Sequence, residues 1–251
     1  MFRSLISQIL KVCQPTTNSL RAGFWRSVLK IRLRLRKKLW NTRRSDSNKI
    51  EFAGLPILLI NLDHRADRLR NATVFFEKIE ANRFERISAV QTIDGRLGCI
   101  ASHLQALNIA IARQYEAVMI CEDDIELVAP PEQVSATVKE FMLSSELDVL
   151  CLSFNLRSPS VPFSDILSLT TDTQTASCYL VKRSAFHVLQ ARFSKSLVKV
   201  AGGKSPLRYM HDMYWKRDQK RSLIFAHPPD RAVKQSRSYS DLEQKIVDYG
   251  V

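Results

Sequence analysis

Four short apolar runs separated by stretches of helical spacing constrain this chain more than any other feature. Residues 56–62, 84–90, 117–121 and 148–154 are too short for core helices and read as strands, the first and third continuous enough to be buried on both faces. Between them, residues 66–81 place Leu69, Thr73, Phe76 and Glu80 on one helical side. Residues 102–113 do the same with Leu104, Leu107, Ala110 and Ile111, and Pro130 and Pro131 start a helix to about residue 143. Strands alternating with helices predict an α/β domain with a mostly parallel central sheet. Past Phe154 the pattern loosens. Residues 155–165 read as loop, 166–170 and 176–181 as strands, 184–193 as a helix, and 222–226 as a last strand. A helix carrying Met210, Met213, Tyr214 and Trp215 precedes that last strand. Residues 51–251 form one domain in this reading, whose later half completes a cleft.

The net charge of +13 belongs almost wholly to the start of the chain. Residues 1–50 hold thirteen Lys and Arg against one acid, Asp46, leaving 25 basic and 24 acidic residues for the remainder. A near-neutral body excludes reading the whole chain as a nucleic-acid binder from its charge. In the leader, residues 1–13 put Phe2, Leu5, Ile6, Ile9, Leu10 and Cys13 on one helical face. Residues 21–44 mix Phe24, Trp25, Val28, Leu29 and Trp40 with a dense basic run. That composition fits a helix on an anionic membrane surface, and it also fits a transit peptide, a nucleic-acid arm or a solvated tail. The membrane surface, through residues 1–44, is the preferred expectation. No run reaches the ~20 apolar residues of a spanning helix. Cys13, Cys99, Cys121, Cys151 and Cys178 are odd in number and widely spaced, which points to free thiols in a reducing, cytoplasmic setting.

Four constellations carry potential chemistry. Glu122, Asp123 and Asp124 stand at the carboxyl end of an apolar strand, where open α/β sheets bind ligands. Three adjacent acids call for compensating charge, either a divalent cation holding a diphosphate or simple solvation in a turn. Asn61, Asp63, Arg65 and Arg68 follow the first strand and suit a base, ribose and phosphates, or an ordinary helix start. Gly95–His103 contains glycines for close backbone approach and Ser102 as a natural N-cap, with His103 either structural or catalytic. Asp212 can deprotonate a hydroxyl if it lines the cleft, or serve as a salt-bridged acid. His227, before two prolines, is a further metal-ligand candidate or a loop histidine.

Together these residues resemble glycosyltransferase family 25, the lipopolysaccharide-type sugar transferases. The Ile60–Arg68 segment resembles the family's I-N-L-D-x-R-x-D-R, Gly95–His103 its G-x-x-G-C-x-x-S-H, and Glu122–Asp124 its E-D-D, in the family's order. Residues 176–181, His211–Asp212 and residues 236–241 resemble later family features. The resemblance implies an A-type glycosyltransferase fold, a nucleotide-diphosphosugar donor of the UDP-hexose (galactose-type) class, and a divalent cation, manganese or magnesium. It implies an inverting transfer to a saccharide or glycolipid acceptor in lipopolysaccharide, lipooligosaccharide or surface glycan synthesis, and the basic leader adds the expectation of peripheral association with the inner membrane face. By the same resemblance Asp124 is the principal metal ligand, with Glu122 and His227 beside it. Asn61, Asp63, Arg65, Ser102, His103, Glu122 and Asp123 serve the donor; the resemblance calls for a carboxylate base without fixing it, and Asp212 is the residue chosen for that role. A metal-dependent phosphohydrolase or nucleotidyl enzyme, and a non-catalytic module binding anionic lipid or polymer, are the competing readings.

Overall fold

The computed structural model describes residues 18–40, 54–81, 83–240 and 245–247. The apolar runs form strands because both of their faces are covered. From β1 (Ile57–Asn61) and β3 (Ala117–Glu122), Ile57, Leu59, Met119 and Cys121 enter one core layer. Leu58, Ile60, Val118 and Ile120 enter the other. Helices α2 (Ala66–Lys78) and α4 (Pro131–Leu143) cover the first layer with Phe75, Phe76, Val134, Val138 and Phe141. Helices α3 (Gly95–Ala112) and α5 (Arg183–Ala201) cover the second with Ala106, Leu107, Phe186, Leu189 and Phe193. A strand sandwiched this way needs no polar alternation.

The remaining main strands are β2 (Glu85–Ser88), β5 (Val149–Cys151), β7 (Val161–Pro162), β8 (Ser168–Thr170), β10 (Cys178–Lys182) and β11 (Phe225–His227). They complete an eight-stranded sheet in the order β2-β1-β3-β10-β5-β11-β8-β7. Six strands share one direction and β10 and β8 oppose it, so the sheet is mostly parallel as expected. The reversal of β10 has a local cause. Between β5 and β10 the chain makes only a ribbon of β6 (Asn155–Leu156) with β9 (Thr173–Gln174) and the β7–β8 pair, with no helix to carry a parallel crossover. Cys121 and Cys178 therefore face each other across β3 and β10 with sulfurs 3.4 Å apart, both as free thiols.

Three sequence expectations change. The helix expected from Ser102 begins at Gly95, capped by Asp94, whose carboxylate accepts from Arg96 N at 3.1 Å. Ser102 is thus not an N-cap. Its hydroxyl donates to Gly98 O at 2.7 Å and accepts from Val90 N at 2.8 Å, stitching α3 to the loop after β2. The helix expected around Met210–Trp215 is three short pieces, α6 (Pro206–Tyr209), α7 (His211–Tyr214) and α8 (Lys216–Arg221), broken where Met210 is extended.

The third change concerns the leader. Residues 1–17 and 41–53 lie outside the described residues, including the amphipathic stretch 1–13 and most of the expected linker. Helix α1 (Asn18–Trp40), however, is docked on the body. Leu29 is buried in the first core layer, and Leu33 packs against it. Arg32 donates to Gln219 O at 2.9 Å. Arg36 pairs with Asp148 at 2.7 Å and donates to Glu146 O and Ser222 O. The amphipathic pattern in this part of the leader is satisfied by protein, at the end of the sheet where β5 begins.

Candidate active site

The carboxyl ends of β1 and β3 open on a cavity of about 640 Å³. One wall is the turn that leaves β3. There the chain passes through Asp123 and Asp124 into β4 (Ile125–Leu127), which pairs with β12 (Val233–Gln235) rather than with the main sheet. Ser236 pins the turn by donating from its N and Oγ to Asp124 O at 2.6 and 3.1 Å. This gives the expected Ser236 feature a structural role at the acids.

The three carboxylates have three different environments. Glu122 Oε1 lies 3.1 Å from His103 Nε2, and Oε2 accepts from Gln235 at 3.3 Å. Burial pushes this carboxyl up, but the His103 contact and the Arg68 charge outweigh it and leave it below its ordinary value. Asp123 is buried and accepts from Asn61 Nδ2 at 2.7 Å and Arg68 at 3.0 Å; burial nonetheless raises its pKa. Asp124 is 8% exposed, and its Oδ1 is buried with no hydrogen-bond partner among the described residues. Burial first, and the Glu122 charge second, push its pKa up to about 7 despite Arg68, whose guanidinium is 3.5 Å from Oδ2. A buried carboxylate oxygen without a partner is costly and demands an explanation.

A second wall is the start of α3. An added Cβ at Gly98 would stand 2.4 Å from Val90 O, so only glycine lets the helix approach the loop this closely. That approach brings Cys99, Ser102 and His103 to the cavity. The third wall is α7, which presents His211 and Asp212. Asp212 Oδ2 accepts from Thr175 N at 3.1 Å. Thr175 has φ +81°, a strained conformation for a β-branched residue that costs on the order of 1–3 kcal/mol and is found mainly where structure serves a site. Burial, opposed by the Thr175 N–H and helped by the Glu122 charge, raises the Asp212 pKa and makes it a stronger base once ionised.

The structure therefore brings Ser102, His103, Glu122, Asp123, Asp124 and Asp212 to one cavity. It does not bring all the others. Asn61 is 1% exposed behind Asp123, with its Oδ1 accepting from Arg86 at 2.7 Å, so it orients the acid instead of facing the cavity. Asp63 is exposed and held by Arg86 and by Ser88 Oγ at 2.8 Å. Arg65 is paired with Asp67 at 2.9 Å. Neither lines the cavity; His64 and Arg68 do. His227 is corrected as a metal ligand: it is off the cavity, 2% exposed, with Nε2 2.6 Å from Ser160 Oγ and Nδ1 2.6 Å from Pro228 O. Sequence reasoning missed Thr175, Gln235 and the wall positions of Cys99 and His211. The spacing of Cys99 and His103, one helical turn apart, was the available signal.

The family profile described as glycosyltransferase family 25 (LPS biosynthesis protein) matches residues 70–205, which is over half of the chain. The chain belongs to glycosyltransferase family 25. Its match runs from within α2 to just past α5, taking in the acid turn after β3 and the start of α3, and it makes the protein a glycosyltransferase. No curated protein matches the sequence at a significant level. Among solved structures, one similar chain is a glycosyltransferase involved in the glycosylation of the major capsid of PBCV-1. It is 9% identical, with TM-score 0.39, covering 68% of this chain and 91% of that one. Another is mannose-1-phosphate geranyltransferase from Thermus thermophilus, 10% identical, with TM-score 0.39, covering 72% of this chain and 75% of that one. Values this low place no function on this family 25 chain.

Proposed function

We propose that this glycosyltransferase moves a hexose of the galactose type from a UDP-hexose to a hydroxyl of a saccharide or glycolipid acceptor, with inversion. The observation that carries the reading is the unpartnered, buried oxygen of Asp124 in the same cavity as Asp212. The donor set at the turn is of hard carboxylate oxygens, which fits a divalent cation such as manganese or magnesium. Asp124 would hold it directly. Asp123 is committed to Asn61 and Arg68, so a single carboxylate plus the donor's phosphates suits magnesium-like coordination. When bound, the cation stabilises the charge that develops on the departing diphosphate.

The chain's own residues then divide the remaining work. Asp212 takes the proton from the acceptor hydroxyl as its oxygen attacks the anomeric carbon, and the carbon–oxygen bond to the diphosphate breaks on the opposite face. Arg68, at the cavity wall beside Asp123 and Asp124, adds positive charge near the leaving group. Ser102 and His103 shape the donor side, and Glu122 fixes His103.

A proposed site of action, the membrane surface, is supported by what α1 leaves outside. Arg26, Lys30 and Arg34 are exposed on the docked helix beside Ile31, which is 53% exposed. This face suits an anionic membrane surface holding the acceptor, as in lipopolysaccharide or surface glycan synthesis at the cytoplasmic leaflet. No helix among the described residues is long and apolar enough to cross a membrane. The test is turnover of UDP-hexoses with manganese, with and without chelator, and with saccharide products identified. Saccharide transfer abolished by chelator and by Asp124→Ala supports the reading. Sugar released only to water, or full activity in Asp124→Ala, contradicts it.

A further inference from the structure

A second cluster on the cavity wall has a different chemistry from the acid turn. Cys99 and His103 lie one turn apart on α3, and His211 opens α7 opposite them. The sulfur and one ring nitrogen from each histidine all lie within 4.8 Å of one another. The His103 and His211 rings stack with centroids 4.3 Å apart, and Phe193 packs edge-on against both. His211 is 2% exposed, yet neither of its ring nitrogens has a hydrogen-bond partner among the described residues. A buried imidazole with both nitrogens unsatisfied is not explained by packing, since a phenyl ring would fill the space without that loss.

From this cluster we infer a site for a zinc-class divalent ion, formed by Cys99, His103 and His211, with Glu122, which touches Cys99 and His103, or water completing the shell. The three ligand atoms stand within 4.8 Å of one another, wider than a closed tetrahedral shell, so a bound ion draws them inward. Ligands about 2.0–2.3 Å from a tetrahedral zinc ion stand roughly 3.3–3.8 Å from each other. His103 Nε2 and Glu122 Oε1 are 3.1 Å apart, and Cys99 Sγ and Glu122 Oε1 are 3.8 Å apart. The other nitrogen of His103 is 3.1 Å from Tyr179 Oη, which fixes the ring as partners of metal-bound histidines do. Thiolate and imidazole ligands select softer ions than the all-oxygen turn at Asp124.

A reactive-thiol reading of Cys99 fits less well. Nucleophilic cysteines sit among positive charges, whereas Glu122, Asp212 and Asp124 surround this one and burial holds its thiol well above the ordinary value. That field suits an incoming cation, which enters through the cavity that all four side chains line. The binding step is a proton exchange: the Cys99 S–H proton leaves to solvent as the sulfur–metal bond forms. This site shares the cavity with the Asp124 cation but uses a different donor set, so the two are separable by substitution.

The experiment titrates the full-length, metal-free protein with Co²⁺ and follows thiolate-to-cobalt charge transfer in the near ultraviolet, then displaces the cobalt with Zn²⁺. One equivalent is expected, with the band lost and zinc affinity at least ~10-fold weaker in Cys99→Ser. The band is expected to persist in Cys13→Ser and in Asp124→Asn. His211→Phe provides a second arm: it should abolish stoichiometric zinc binding while raising the melting temperature of the metal-free protein. A wild-type protein with no charge-transfer band, or a band unchanged in Cys99→Ser, overturns the site. A metal-free His211→Phe protein that melts lower and binds zinc as tightly as wild type overturns it as well.

Discussion

Two buried aspartates at opposite ends of the same sheet have opposite surroundings. Asp148, just before β5, accepts from Arg36 at 2.7 Å, Ser184 Oγ at 2.7 Å and Ile224 N at 2.8 Å. Asp124, just past β3, keeps one oxygen without a partner and a pKa pushed up to about 7. Both are almost fully buried, so burial alone does not separate structure from chemistry. The separation comes from satisfaction. The end where α1 docks is closed by complementary groups, and the end where the cavity opens leaves a carboxylate waiting for charge.

The largest effect that sharpens this contrast is on activity. Asp124→Asn should lower sugar transfer by ~100-fold or more, in the range seen when electrostatic stabilisation of a leaving group is lost. Asp212→Asn should do likewise with substrate binding retained, read as a fall in kcat at little-changed KM; base catalysis is worth about 100- to 10,000-fold. Next in size is stability at the other end. Asp148→Ala should destabilise the protein by ~2 kcal/mol in denaturant melts, because it leaves the buried Ile224 N–H without its acceptor and removes the carboxylate facing Arg36. An Asp148 variant as stable as wild type would break the contrast.

A smaller effect reads the pH dependence. The folded pKa of Asp124, about 7, lies above its ordinary 3.8, so protonation favours the folded chain. Its contribution to the stability of the metal-free protein is full below about pH 4 and is lost as pH rises through about 7. Thermal melts without cation should therefore fall over this window in wild type, and less steeply in Asp124→Asn. The smallest effect concerns α1. Removing the exposed charges of Arg26, Lys30 and Arg34 should leave stability within ~0.5 kcal/mol while weakening sedimentation with anionic vesicles by roughly 1 kcal/mol per charge.

Much of this was legible in the sequence for a definite reason. The continuous runs at Ile57–Asn61 and Ala117–Glu122 could be covered only from both sides, which required helices between them and a sheet whose carboxyl ends carry the ligands. The acids, Ser102 and His103 follow that strand pattern into the cavity, whereas Asp212, on the separate α7, was legible only as a candidate conditional on lining the cleft. What the pattern could not tell was which partner an amphipathic face would choose. Leu29, Arg32, Leu33 and Arg36 look the same whether they meet a membrane or Asp148 and Gln219. Ser102 resembled a cap because caps are local, while the true start of α3 depends on Asp94 and on the contact of Gly98 with Val90 O. His227 had the right chemistry for a metal, but its ring nitrogens were already engaged by Ser160 and Pro228, contacts distant in sequence or hidden in the turn. The reversed β10 was inferable, since residues 155–176 hold no helical spacing for a crossover.

The measurement closest to the central claim is calorimetric titration of Mn²⁺ into the protein with UDP present, comparing wild type, Asp124→Asn and Asp148→Asn. A single Mn²⁺ equivalent is expected in wild type and in folded Asp148→Asn, and its loss in Asp124→Asn. Equal manganese binding by wild type and Asp124→Asn would contradict it.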